Sequence, residues 1–279
     1  MSVAALLLCA AIIPAQAQSP ESPGSLAKPA SLPAPATSAA LIGTGGIPCP
    51  NTDKLARLDL PLARTGRLLA AGLPIKIVAV GSSSTAGAGA SSQGRAYPNR
   101  LALELTRRFQ SDDVSVVNRG VNGEEAADMM ARFDTEVLAE KPDLVLWQVG
   151  TNSLLRDQFN SATESLIHAG IRRLKPSGAD IVLMDAQYAP KVLAKAGASD
   201  AVLRLAAIAK EEQVPIFRRF AMMRQWHEND HIGFDTFVSP DGLHMNDWSY
   251  GCLAKSLSTA IAEAASRPTA TAAAAKPAR

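Results

Sequence analysis

Residues 75–81, IKIVAVG, form an apolar, β-branched run that ends abruptly in glycine. Such a continuous run suits a strand covered on both faces, as strands of a parallel sheet are. The pattern returns at VSVVNRG (114–120), DLVLWQVG (143–150), DIVLMDAQ (180–187) and, shortened, VPIF (214–217). Helix-like segments separate these runs. Residues 96–110 carry Leu101, Leu105 and Phe109 at helical spacing, and 124–140 place Ala, Met and Phe on one side. Residues 161–174 stop at Pro176 and Gly178, 200–212 follow, and 246–265 close with a helix. Strand and helix in alternation predict an α/β fold: a five-stranded parallel sheet with helices on both faces.

In such sheets the functional groups sit just past the carboxyl ends of the strands. Four of those ends carry chemistry. Gly81 is followed by Ser82, Ser83, Ser84 and Thr85, then by a stretch of only Gly and Ala. The second strand runs into NRGVNGEE (118–125), the third into GTN (150–152). After the fifth strand and a long loop comes SPDGLHMND (239–247), with Asp241 and His244 three apart. A serine hydroxyl is a weak nucleophile that needs an adjacent base. His244 can be that base, and Asp241 can hold its ring in one tautomer. An oxyanion needs donors already in place. The backbone N–H of Ser83, the N–H of Gly123 and the side-chain amide of Asn152 are the candidates.

These blocks resemble those of the SGNH hydrolases, also called the GDSL esterases and lipases. IVAVGSSSTAG is similar to the first block, with Gly81-Ser82-Ser83-Ser84-Thr85 standing for G-D-S-L-T; NRGVNGEE, VGTN and DGLH resemble the others. The resemblance spans about residues 75–260. It implies a flavodoxin-like, three-layer α/β/α sandwich and metal-free, cofactor-free hydrolysis of small acyl esters, often acetyl groups on carbohydrate. By position it makes Ser83 the nucleophile, His244 the base and Asp241 its orienter, with Ser83, Gly123 and Asn152 forming the oxyanion hole. Gly120 fits the second-block glycine less well, because Gly123 lies in the turn just before the helix. Two departures stand out: Ser82 and Ser153 occupy positions where the family usually has Asp.

Rival readings attach to the same residues. Serine-rich turns usually cap helices, a reading that Ser82 and Ser84 keep. Residues 226–232, WHENDHI, match the H-E-x-x-H zinc pattern through His227, Glu228 and His231. Asn229, Asp230 and Gly233 disfavour the helix that a zinc site needs, so a polar loop bordering the cleft is expected there. Trp226, Phe234 and Phe237 then either wall the cleft or anchor the loop. GSSSTAGAGA lacks the Lys of a phosphate-binding loop. An acyltransferase would use the same triad, and a non-catalytic carbohydrate-binding module would need none of it.

The remaining segments concern organisation. Residues 1–17 read as a signal peptide, with an apolar core from Val3 to Ile13 and an A-x-A cleavage site ending at Ala17, although no Lys or Arg precedes the core. Residues 18–48, rich in Pro, Ala, Ser and Gly, read as a disordered linker; 49–265 as the hydrolase domain; and 266–279 as a disordered tail. The expected location is periplasmic or secreted, without integral membrane association after cleavage. Cys49 and Cys252 then form an even pair in an oxidising compartment, so a disulfide is expected, two buried free thiols being the alternative. A net charge of +2 without a basic-aromatic stripe gives no reason to expect a nucleic-acid partner. An acyl ester or acylated glycan is the expected partner.

Overall fold

A computed structural model describes residues 47–110 and 113–268. The expected leader, nearly all of the linker and most of the tail lie outside the described residues. Five parallel strands are present: β1 (Ile75–Gly81), β2 (Val114–Gly120), β3 (Leu144–Gln148), β4 (Asp180–Met184) and β5 (Ile216–Phe217). They lie in the order β2-β1-β3-β4-β5, so the chain reverses its direction of winding beside β1. Ligands gather at that switch point in open α/β sheets.

The period of two along each strand divides the core into two layers. Ile77, Ala79, Leu144, Leu146, Val182 and Met184 face one layer of helices. Those helices are α1 (Ala63–Ala70), α3 (Tyr97–Phe109), α8 (Arg219–Glu228) and α9 (Asp247–Ser266). Val78, Val80, Val145, Trp147, Ile181 and Leu183 face the other. It contains α4 (Ala126–Ala131), α6 (Ser161–Leu174) and α7 (Ala198–Glu211). Two short helices, α2 (Ser83–Ala86) and α5 (Thr151–Leu155), start just past the ends of β1 and β3. The predicted three-layer α/β/α sandwich is therefore present. Among the described residues no helix is long and apolar enough to cross a membrane.

Three of the segments read from the sequence take another form. The single helix expected over 124–140 breaks after Ala131 into a π-helical turn, Phe133–Val137, and a 3-10 turn, Leu138–Glu140. The wider turn brings Phe133 and Val137 into the core while Asp134 and Thr135 stay exposed. Phe133 there meets Trp147 edge-on, ring centroids 5.1 Å apart. β5 shrinks to two residues because Pro215 has no N–H to give a ladder. The long loop expected after it instead contains α8, whose buried Phe220, Met222, Met223 and Trp226 form a helical stripe.

Two links tie segments together, one within each layer. Cys49 and Cys252 are joined, with Cα atoms 5.4 Å apart and a sequence separation of 203. In the chain-entropy picture a loop of that length removes about 5 kcal/mol of unfolded-state freedom. Glu212, just past α7, accepts hydrogen bonds from Lys175 Nζ (2.7 Å) and Arg172 Nε (2.9 Å) and lies 2.9 Å from His168 Nδ1. Lys175 leads these contacts in pulling its carboxyl from 4.5 down to about 2, against the opposing effect of desolvation. A carboxylate with a depressed folded-state pKa stabilises above its unfolded pKa and loses that stabilisation as pH falls. Glu212→Gln is therefore expected to cost about 1–2 kcal/mol at pH 7, reduced by the exposure of its partners. Denaturant melts should show the gap to wild type closing between pH 4.5 and about 2; a gap constant down to pH 2 would refute this.

Candidate active site

The first component is the turn after β1. Gly81 sits where a Cβ would lie 2.9 Å from Gln148 Oε1 and would also strike the Thr85 hydroxyl. Ser82 is extended, and Ser83 begins α2. As the first helical residue, Ser83 has a backbone N–H that the helix does not use. The three serines then diverge. Ser82 turns inward, its N–H and hydroxyl both donating to Gln148 Oε1 at 3.0 Å. Ser84 is buried, and its hydroxyl points to Gln187 Oε1 at 3.5 Å. Ser83 alone reaches outward, its Oγ 2.7 Å from His244 Nε2.

The Gly/Ala stretch after the serines serves the histidine. Gly87 ends α2 at φ +102°, a left-handed conformation that glycine adopts without penalty. Gly89 passes so close to the last loop that a Cβ would sit 3.0 Å from His244 Cβ and collide with the Met245 carbonyl. Between them, the Ala88 carbonyl accepts the Tyr250 hydroxyl at 2.7 Å.

The second component is the loop 239–245, closed by an antiparallel bridge between Val238 and Met245. Ser239 N donates to the His244 carbonyl at 2.8 Å, and Gly242 turns the chain at φ +70°. Asp241 Oδ1 accepts the Ser239 hydroxyl at 2.7 Å and the N–H groups of Leu243 and His244 at 2.9 Å each. Its Oδ2 bonds His244 Nδ1. Partial burial works to raise the Asp241 pKa, but the bonds from His244, Ser239 and the two N–H groups hold it well below the usual carboxylate range. Asn246 then caps α9 by accepting from Ser249 N, which fixes the far end of the loop.

The third component lies between β2 and β3. Gly120 packs against the backbone of Thr85 and Ala86, with no room for a side chain. Gly123 instead stands in the turn, at φ +81°. Among the described residues, its N–H has no protein acceptor. Asn152, in the first turn of α5, donates Nδ2 to the Glu124 carbonyl at 2.8 Å. The amide's second hydrogen remains for another acceptor. The structure thus brings Ser83, Asp241 and His244 into one chain of contacts. It sets Gly123 and Asn152 beside each other through Glu124.

The histidines of WHENDHI go elsewhere. His227 and Glu228 end α8, while His231 lies beyond it at φ +55°. His227 Nδ1 is 3.0 Å from the Ile232 carbonyl, with its ring stacked 4.0 Å from Phe234. Glu228 accepts the Tyr188 hydroxyl at 2.7 Å. Trp226 and Phe237 are fully buried, so they anchor this segment rather than line a cleft. Among the described residues, no group of His, Cys, Asp and Glu is arranged to hold a metal ion.

Sequence reasoning missed the residues beneath the site. Gln148, Gln187 and Arg219 are buried polar groups. Arg219 donates to Gln187 Oε1 at 2.9 Å, and Gln187 Nε2 donates to the Leu243 carbonyl at 3.2 Å. The two glutamines therefore underlie the serine turn, and Gln187 also holds the histidine loop. A polar residue at the end of an apolar strand, as in LWQVG, was the available signal.

The family model described as the non-GDSL lipase-like family matches residues 48–267. An arylesterase of Vibrio mimicus is 30% identical over 115 residues, which are 41% of this chain and 56% of that protein. A two-domain esterase active on acetylated mannans, crystallised with mannopentaose, superposes with a TM-score of 0.63 at 18% identity, over 78% of this chain and 58% of that one. The acetylxylan esterase Axe2 of Geobacillus stearothermophilus, in a catalytic mutant, gives 0.58 at 19% identity, over 67% and 94%. The chain thus spans little more than half the length of the curated relative and of the mannan esterase.

Proposed function

The chain belongs to the non-GDSL lipase-like family, and from that premise we propose that it is a serine esterase acting on small acyl esters, acetyl esters of carbohydrate foremost. The observation that carries this reading is the contact of Ser83 Oγ with His244 Nε2 at 2.7 Å, with Asp241 on the opposite ring nitrogen. In the proposed reaction Ser83 attacks the ester carbonyl as His244 takes its proton. The tetrahedral oxyanion is met by the N–H groups of Ser83 and Gly123 and by the Asn152 amide. His244 then protonates the leaving alcohol. Water, deprotonated by His244, hydrolyses the acyl-enzyme and restores Ser83. Asp241 keeps the proton on Nδ1 and so leaves Nε2 free to accept.

The substrate class rests on the acetylated mannans and acetylxylan named for the structural neighbours. Within the wider SGNH type we place Gly81–Thr85 at the GDSL block, with Ser82 in the position of its Asp. We also take the chain to act after export, as a single hydrolase domain over 49–265, on the strength of its A-x-A segment and cysteine pair.

The test combines turnover of a chromogenic acetyl ester with labelling by a serine-reactive phosphonate. The expected result is turnover that withstands chelation, with one adduct mapped to Ser83. Labelling elsewhere, or activity lost on chelation alone, would overturn the reading. Acetyl transfer to an added sugar in preference to acetate release would make the same triad that of an acyltransferase. Sugar binding without turnover of any ester would favour a binding module.

A further inference from the structure

Ser153 follows Asn152 where the resemblance calls for a carboxylate, yet a carboxylate is present in space. Ser153 is buried, and its hydroxyl donates to Glu125 Oε2 at 2.9 Å. Glu125 comes from the other block, at the N-cap of α4, where its side chain accepts the N–H of Asp128 and its own N–H donates to Asp128 Oδ2 at 3.0 Å. Arg156 completes the arrangement. Its Nη1 pairs with Glu125 Oε1, and its Nη2 donates to the Gly123 carbonyl at 3.0 Å. One turn, Asn152 to Arg156, therefore grips three consecutive residues of the facing loop: the Gly123 carbonyl, the Glu124 carbonyl and the Glu125 carboxylate.

The grip matters because of what hangs on it. Gly123 occupies a left-handed conformation, and Asn152 lies 29 positions later in the chain. Neither block by itself fixes one donor relative to the other. Bonds to an ionised carboxylate are short and strong, and this one bridges the two blocks directly.

We propose that Glu125 is a positioning residue for the oxyanion hole: with Arg156 it locks Gly123 to Asn152, supplying from the second block the carboxylate absent at 153. This rests on the serine-esterase reading above. Donors that act on the oxyanion alone affect the transition state rather than substrate binding. Loosening them should lower kcat and leave KM nearly unchanged.

The experiment measures kcat, KM, the rate of phosphonate labelling and Tm in the full chain. Glu125→Ala is expected to lose about 10- to 100-fold in kcat, and labelling should slow in parallel, as sub-ångström misplacement of catalytic groups does. Glu125→Gln should fall between, because it keeps an acceptor for Ser153 but not the charge facing Arg156. Ser153→Asp alone should also lower kcat, by setting two carboxylates against each other. Glu125→Ser combined with Ser153→Asp should recover much of the loss, since position 153 lies three residues before Arg156 on one helical turn.

An active wild type with Glu125→Ala within about twofold of it in kcat would overturn this proposal and leave the esterase reading standing. So would a loss that tracks the unfolded fraction and disappears at a temperature well below Tm, or a double variant no better than Glu125→Ala. A wild type inert to every ester and to the phosphonate would take both readings down together.

Discussion

Ser83→Ala is expected to lower kcat/KM on an acetyl ester by about 10⁴- to 10⁶-fold. The reason is specific to the geometry. Ser83 Oγ contacts His244 Nε2, whereas its neighbours Ser82 and Ser84 are turned into the protein on Gln148 and Gln187. Removing the Ser83 hydroxyl therefore takes away the proposed nucleophile and little else, so Tm should hardly move. His244→Ala should cost a comparable factor, and the double variant little more than either, because residues of one catalytic unit are grossly non-additive. Residual rate over water would come from binding and from the remaining donors. Steady-state kinetics beside a thermal melt decide it: activity in Ser83→Ala within about tenfold of wild type would remove Ser83 from the mechanism.

Asp241→Asn should cost about 10⁴-fold in kcat while leaving the loop folded. Asp241 has two jobs on two oxygens. Oδ1 accepts from Ser239, Leu243 N and His244 N, and a carbonyl oxygen can continue to do so. Oδ2 faces His244 Nδ1, and in the variant an amide NH₂ takes its place. That amide donates, so Nδ1 must accept and the ring proton moves to Nε2. His244 then presents a donor to Ser83 where the reaction needs an acceptor. The variant should keep near-native Tm and substrate KM, with its loss confined to kcat. Regain of activity at alkaline pH, where hydroxide can take the Ser83 proton in place of the ring, would support the tautomer argument. A kcat within tenfold of wild type at neutral pH would end it.

The sheet was legible because strands buried on both faces leave nearly uninterrupted apolar runs, and IKIVAVG and DLVLWQVG are such runs. The order of the blocks along the chain then placed Ser83, Gly123, Asn152, Asp241 and His244 at strand ends. What stayed hidden was cooperation between distant residues. Ser82 and Ser153 looked like losses because a single sequence shows only the missing Asp. In space, Gln148 receives Ser82 and Glu125 receives Ser153, across separations of 66 and 28 residues. The π-helical turn at Phe133–Val137 was equally invisible, since it accompanies the packing of Phe133 against Trp147, a contact between separate segments. The histidines of WHENDHI were separable from chemistry on local grounds: Asn229 and Asp230 end the helix before His231 can join His227.

The Cys49–Cys252 bond also has a mechanical consequence. The loop it closes contains Ser83, Gly123, Glu125, Asn152, Asp241 and His244. Tension applied between the two ends of the chain would enter at Cys49, cross the sulfur bridge and leave at Cys252. The segment carrying load inside the described domain would then be the remainder of α9, which could peel at Leu253, Leu257 and Ile261. Every residue assigned to the chemistry lies on the slack side of that path, shielded from force for as long as the bridge stays oxidised.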